Sequence, residues 1–268
     1  MVEKRKKHQK VGDFIEGLQS EGRYAFSFAE VSLSVDTSAV ALQSAIRRLK
    51  RKGHLVSPRR EFFVIVPVEY RATGAPPPSW FIDDLMAFLG RPYYVALLSA
   101  AAVHGASHQH PQVFQVMTSL PTAPMAAGRG RIEFFRKRSI DRVATSRIKT
   151  DTGHMTVSSP EATVFDLIRH SHAAGHLDNV ATVLAELGET IDPEKLTSSA
   201  ALASRPEVQR AGYLLQLVGL DSLADALAKL LATGRKRPAL LRSDIDGEEM
   251  PIDKRWNLVL NEKVEPDL

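Results

Sequence analysis

Residues 38–66 read SAVALQSAIRRLKRKGHLVSPRREFFVIV, and the way this run divides decides the fold. Ser38 to Lys52 contains no Pro or Gly, Asp36-Thr37-Ser38 offers an N-cap, and Gly53 stands where a left-handed residue closes a helix. At about 100° per residue, Ala39, Leu42, Ile46 and Leu49 fall on one side of that helix. Thr37, Ala41, Ser44, Arg47, Arg48 and Arg51 fall on the other, so small polar groups near the start give way to guanidinium groups further along. After the glycine, His54-Leu55-Val56-Ser57 and Phe62-Phe63-Val64-Ile65-Val66 flank Pro58-Arg59-Arg60-Glu61, which predicts a β-hairpin with two arginines at its tip.

Working upstream, Val11, Phe14, Ile15 and Leu18 make one apolar stripe of a helix over residues 9–20, ended by Glu21-Gly22-Arg23. Ser27-Phe28-Ala29-Glu30 predicts a capping box that opens a short second helix to about Ser34. Three helices followed by a basic hairpin resemble the winged helix-turn-helix family over residues 9–66, with residues 38–52 as recognition helix. A B-form major groove admits one helix, short side chains at its start allow close approach, and arginine can bond guanine O6 and N7 together. The resemblance therefore implies DNA contacts by Thr37, Ser38, Ser44, Arg47 and Arg48 in the groove, and by Lys50, Arg51, Arg59 and Arg60 mainly on the backbone. A winged helix that pairs only with protein is the other reading.

The distribution of charge agrees with a polyphosphate partner. Residues 1–60 hold 13 Lys+Arg against 6 Asp+Glu, whereas residues 61–268 hold 22 against 25, so the whole basic surplus lies in the first quarter. Each phosphate neutralised by such a surface releases condensed counterions and adds affinity. Of the 268 residues 44% are hydrophobic and none is cysteine, which is globular composition and excludes disulfides, thiolate metal sites and cysteine nucleophiles. No apolar run approaches the ~20 residues of a membrane span, and the start MVEKRKKHQK is basic without a following apolar stretch, so a cytoplasmic protein is expected.

Pro67 and Ala75-Pro76-Pro77-Pro78 predict a stiff join, which places a boundary near residue 70. The expectation is an α+β protein: a winged helix-turn-helix domain at residues 1–70, then a larger mixed domain at residues 71–268 with a helical bundle toward its C-terminal side. In the second part, residues 79–89 predict a helix, Gly90-Arg91-Pro92 a break, and residues 93–104 (YYVALLSAAAVH) a second, buried helix. Residues 113–118, 131–136 and 154–157 have strand character, and Ser159-Pro160-Glu161 opens a helix with Ser at the cap and Pro at the first position. Residues 178–232 are helical almost throughout; short strands at 239–242 and 256–260 follow, then a charged end expected to fray.

Taken together, the winged helix, the Pro-rich join, the run Tyr93-Tyr94-Val95-Ala96-Leu97-Leu98-Ser99-Ala100-Ala101-Ala102-Val103-His104-Gly105, the run Ser159-Pro160-Glu161-Ala162-Thr163-Val164-Phe165-Asp166-Leu167 and the late Trp256-Asn257-Leu258 resemble the AbiEi antitoxins of type IV toxin–antitoxin systems. The resemblance implies a bacterial transcriptional regulator that represses its own operon through the winged domain, binding promoter DNA with self-association on inverted repeats. It further implies that the larger domain counters a nucleotidyltransferase toxin without a stable complex of the two proteins.

Nothing in the residues supports catalysis, a metal or a cofactor. His104, His108 and His110 cluster, but no nearby carboxylate or thiol completes a zinc site; His170, His172 and His176 fit a helix end better. Asp244-Ile245-Asp246-Gly247 could supply two carboxylates to Mg²⁺, yet the Gly-Ser turn of a nucleotidyltransferase is missing upstream, so a solvated turn is the better reading. Gly128-Arg129-Gly130 lacks the strand and helix that a phosphate loop needs. Arg136-Lys137-Arg138 and Arg235-Lys236-Arg237 read as solvated loops unless they converge. Two alternatives stay open: a repressor responsive to a metabolite, which requires a buried apolar pocket, and a nucleotidyltransferase or nuclease, which requires a cleft with clustered acids.

Overall fold

A computed structural model of the protein describes residues 10–106, 112–232 and 237–267. They form two compact units, the first from residues 10–94, 112–140 and 147–156 and the second from residues 95–106, 141–146, 157–232 and 237–267. The architecture is α+β.

The first unit opens with α1 (Val11–Ser20), β1 (Ala25–Ser27), α2 (Phe28–Ser34), α3 (Ala39–Arg51), β2 (Leu55–Arg59) and β3 (Phe62–Ile65). The three strands form an antiparallel sheet in the order β1-β3-β2. Val11, Phe14 and Leu18 of α1, Leu42 and Ile46 of α3, and Phe26, Phe63 and Ile65 of the strands share one apolar core. Its rings meet edge to face (Phe14 and Phe26, 5.3 Å) and tilted (Phe26 and Phe63, 5.4 Å). Ala39, expected on the inner side of α3, is exposed in its first turn. Phe62 leaves that core for the other face of the sheet and lies 5.4 Å from Phe88 of α4 (Ile82–Leu89), so β3 is buried on both faces.

Only half of the expected capping box forms. Ser27 Oγ accepts from the Glu30 amide (3.0 Å), but the Glu30 carboxylate turns to Arg23 (2.8 Å) and does not reach back. A guanidinium is a stronger partner for a carboxylate than a lone amide.

The rest of the first unit holds most of a six-stranded sheet built from β4 (Tyr93–Val95), β5 (Val113–Thr118), β6 (Met125–Ala127), β7 (Gly130–Arg136), β8 (Thr145–Thr150) and β9 (Gly153–Ser158), in the order β6-β7-β5-β4-β9-β8. β5 and β7 run parallel with continuous register, and β6 folds back antiparallel on β7. The continuous helix expected over residues 93–104 is therefore corrected: its first three residues are a strand, and the helix α5 starts only at Leu97. Val95 pairs with Val157, and Leu97 takes φ 53°, a left-handed turn that separates strand from helix without a Gly or Pro to announce it. Trp80 stacks near Tyr24 (4.9 Å) and Tyr70 (5.2 Å), and its indole N–H donates to Asp151 (3.0 Å).

The second unit contains α5 (Leu97–Val103), α6 (Pro160–Arg169), α7 (His176–Leu187), α8 (Pro193–Ala200), α9 (Arg205–Leu217), α10 (Asp221–Leu231) and a small sheet of β10 (Ala239–Leu240), β11 (Ile252–Asp253) and β12 (Leu258–Val259). α6 is its centre: Glu161 through Ile168 are all buried, and α5, α7, α8 and α9 pack around it. The Ser159-Pro160-Glu161 start has a separate job for each residue. Ser159 Oγ accepts from the Ala162 amide (3.2 Å), Pro160 occupies the first position where no amide partner is needed, and Glu161 accepts from the Asp192 amide (3.1 Å). Trp256 is fully buried, donates through its indole N–H to Gln216 (2.7 Å), and lies flat enough on α9 that only a glycine, Gly212, fits beneath it.

The charged end does not fray as expected. The amides of Glu265 and Asp267 donate to Asp178 (2.8 Å) and Thr182 (2.9 Å) of α7, and Val264 is buried.

Candidate nucleic-acid interface

α3 is positioned by its two ends and its inner face. Ser38 Oγ accepts from the Ala41 amide (3.2 Å), and Gly53 at φ 71° ends the helix just after the Lys52 cap. Burial of Leu42 and Ile46 then fixes the rotation of the helix. With that rotation set, Thr37, Ser38, Ser44, Arg47, Arg48, Lys50 and Arg51 are all exposed. The helix holds four cations and no acid, and most of its polar side chains face water.

The hairpin supplies the second part of the surface. β2 and β3 end on the pair Arg59 and Phe62, joined through Arg60 and Glu61, the latter at φ 65°. Ser57 Oγ donates to the Arg59 carbonyl (2.7 Å), and the Glu61 carbonyl accepts from the amide of Phe28 (2.8 Å), so the tip is tied both to its own strand and to the start of α2. Arg59 and Arg60 are exposed, and Arg60 lies only 3.8 Å from Glu61, an ion pair in open solvent of little energetic weight. A capped cationic helix beside a two-stranded arginine-tipped hairpin can place guanidinium groups on phosphates and base edges together.

Sequence reasoning passed over two exposed residues of α3. Val40, 75% exposed, and Gln43 also sit on the outer side. An apolar residue in an amphipathic pattern is read as core by default, so Val40 went unnoticed; the signal was that it lies between Arg47 and Arg51 on the helical wheel.

The other candidates have structural roles. His104 Nε2 donates to the Ser158 carbonyl (2.7 Å) at the end of α5, while His108 and His110 lie outside the described residues. His172 approaches Asp244 (3.3 Å) and stacks edge-on with His176. Asp244 is held below the usual carboxylate range mainly by its hydrogen bond with Arg242, and Asp246 accepts from the amides of Gly247 (2.7 Å) and Glu248 (3.3 Å). Asp244 is thus engaged by side chains and Asp246 by backbone amides of its own loop. Among the described residues no group of three His, Asp or Glu could hold a metal ion. Arg136 and Arg138 are exposed; Arg235 and Lys236 lie outside the described residues. A concavity of about 310 Å³ in the second unit is lined by Arg142, Lys195, Ser198, Ser199 and buried Glu161 together with the aliphatic Ala144, Ala201 and Leu202.

Comparison with known proteins finds a family model over part of the chain and a solved structure of similar fold. Residues 94–217 match the AbiEi antitoxin C-terminal domain. This AbiEi segment contains both α5 and the α6 start described above, the two packing runs that carry the sequence resemblance. No curated protein matches the chain. Among solved structures, the RV2827C protein from Mycobacterium tuberculosis shares the fold with a TM-score of 0.68 at 17% identity, over 96% of this chain and 94% of that one. The similarity thus extends beyond the AbiEi match to the helices and hairpin of the N-terminal part. Among the described residues no helix is long and apolar enough to cross a membrane.

Proposed function

We propose that this protein is the antitoxin and autorepressor of a type IV toxin–antitoxin operon. Residues 1–70 bind promoter DNA through α3 and the hairpin, and residues 71–268 counteract a nucleotidyltransferase toxin without forming a stable complex with it. The observation that carries the DNA half is the exposed, acid-free outer side of α3 next to the Arg59-Arg60 tip. The antitoxin half is supported by the AbiEi match over residues 94–217. In this reading Thr37, Ser38, Ser44, Arg47 and Arg48 enter the major groove and Lys50, Arg51, Arg59 and Arg60 hold the backbone.

One experiment tests the two halves separately. The full chain and its Arg47→Ala/Arg48→Ala variant are compared for repression of a reporter behind the DNA upstream of their own gene, and for rescue of cells expressing a nucleotidyltransferase toxin encoded beside that gene. Lost repression with full rescue is expected. Retained repression sinks the assignment of the interface, and no rescue by the unaltered chain sinks the antitoxin role.

A further inference from the structure

Val40 is the second residue of α3, two positions after the Ser38 cap, and three quarters of its surface is open to water. A β-branched side chain there neither favours the helix nor joins the core, to which α3 contributes Leu42 and Ile46. At about 100° per residue it lies 20° from each of Arg47 and Arg51 and 40° from Ser44, at the middle of the outer side. Its neighbours restrict what could cover it. The apolar patch of a protein partner would bring four cations onto its rim, whereas a major groove offers phosphates to the cations and, among its base edges, one apolar group, the C5-methyl of thymine. The first residues of a recognition helix are those that reach base edges.

We infer that Val40 packs against a thymine methyl group and selects thymine over cytosine at one position of each bound site. The inference rests on the DNA-binding reading above and specifies what that surface recognises. Val40 touches no phosphate, so it contributes discrimination without contributing to the salt dependence of binding.

The test uses the full chain and a duplex that it selects from a randomised library, resynthesised with deoxyuridine in place of one thymidine at a time. Deoxyuridine keeps every hydrogen bond and removes only the methyl group. At one thymine per site the substitution should weaken binding about fourfold, the equivalent of ~0.8 kcal/mol for one buried methyl-sized group. Val40→Ala should bind the thymine duplex more weakly, lose its response to deoxyuridine at that position, and keep the slope of log affinity against log salt. Because Val40 is exposed and alanine is the better helix former, the variant will fold. Should no thymine respond, or should the alanine variant respond as before, the inference falls while DNA binding stands. Should no duplex be enriched at all, the DNA-binding reading falls and takes the inference with it.

Discussion

Arg169 grips Glu207 through two parallel bonds, Nε to Oε1 at 2.6 Å and Nη2 to Oε2 at 2.9 Å, joining the end of α6 to the start of α9. The same carboxylate accepts from the Ser204 amide (2.6 Å) and so closes a capping box. Burial pushes the carboxyl group up, but the guanidinium fork and the Ser204 amide outweigh it and hold the group below its ordinary 4.5. Glu207→Gln keeps the shape and removes the charge, which should cost about 1–3 kcal/mol in urea unfolding. A carboxylate with a depressed folded value contributes stability above its unfolded value and loses it as pH falls through the folded one. The difference between the two proteins should therefore be full at neutral pH and shrink below about pH 4.5. A pH-independent difference would show that the fork does not act through its charge.

Gly212 carries the next prediction. A Cβ added there would lie 1.9 Å from the Trp256 ring. The ring is fixed by its bond to Gln216 and cannot yield, so Gly212→Ala should destabilise by at least ~1–3 kcal/mol despite the better helix propensity of alanine. A calorimetric melting temperature equal to that of the unaltered chain would refute it.

Base readout and phosphate contact separate by their salt response. Removing Arg47 or Arg48 should cost ~1–3 kcal/mol for each side chain that reads a base. Arg59→Ala with Arg60→Ala should lower the slope of log affinity against log salt by about two, whatever the DNA sequence. Anisotropy titrations between low and moderate salt measure both. Equal slopes would take the hairpin tip off the phosphates.

Trp80→Ala should lower the stability of the first unit by about 1–3 kcal/mol, since the indole joins Tyr24, Tyr70 and Asp151 at once. For the same reason a fragment ending at residue 70 lacks part of its packing and should unfold at lower urea than the full chain. Coincident unfolding curves would show that these contacts carry no stability.

How much of this was legible in the sequence follows from how local each signal is. The three helices and the hairpin of the N-terminal part are announced by caps, Gly53 and a 3.6-residue stripe, all within a few residues of one another. Ser159-Pro160 at the start of α6 is equally local. By contrast, Tyr93-Tyr94-Val95 becomes a strand because its partner lies some sixty residues away, and no nearby residue says so. β6 and β8, written Met-Ala-Ala and Thr-Ser-Arg-Ile-Lys-Thr, are the two edges of their sheet and lack the apolar alternation that a half-buried strand displays. The exposed face of α3 is readable because Leu42 and Ile46 fix its rotation, and the same wheel places Val40 between Arg47 and Arg51, a signal masked by the default reading of an apolar residue as core. The tail was misread because its charges conceal Val264 and the two amides bonded to α7.

The chain has two tryptophans, and each compact unit holds one: Trp80 in the first, Trp256 in the second. Nature has thus placed a separate optical reporter in either half. Fluorescence of the Trp80→Phe and Trp256→Phe proteins follows each half through denaturation without any attached dye. Superimposed transitions would mean a single cooperative molecule, and displaced ones would give the order in which its halves come apart.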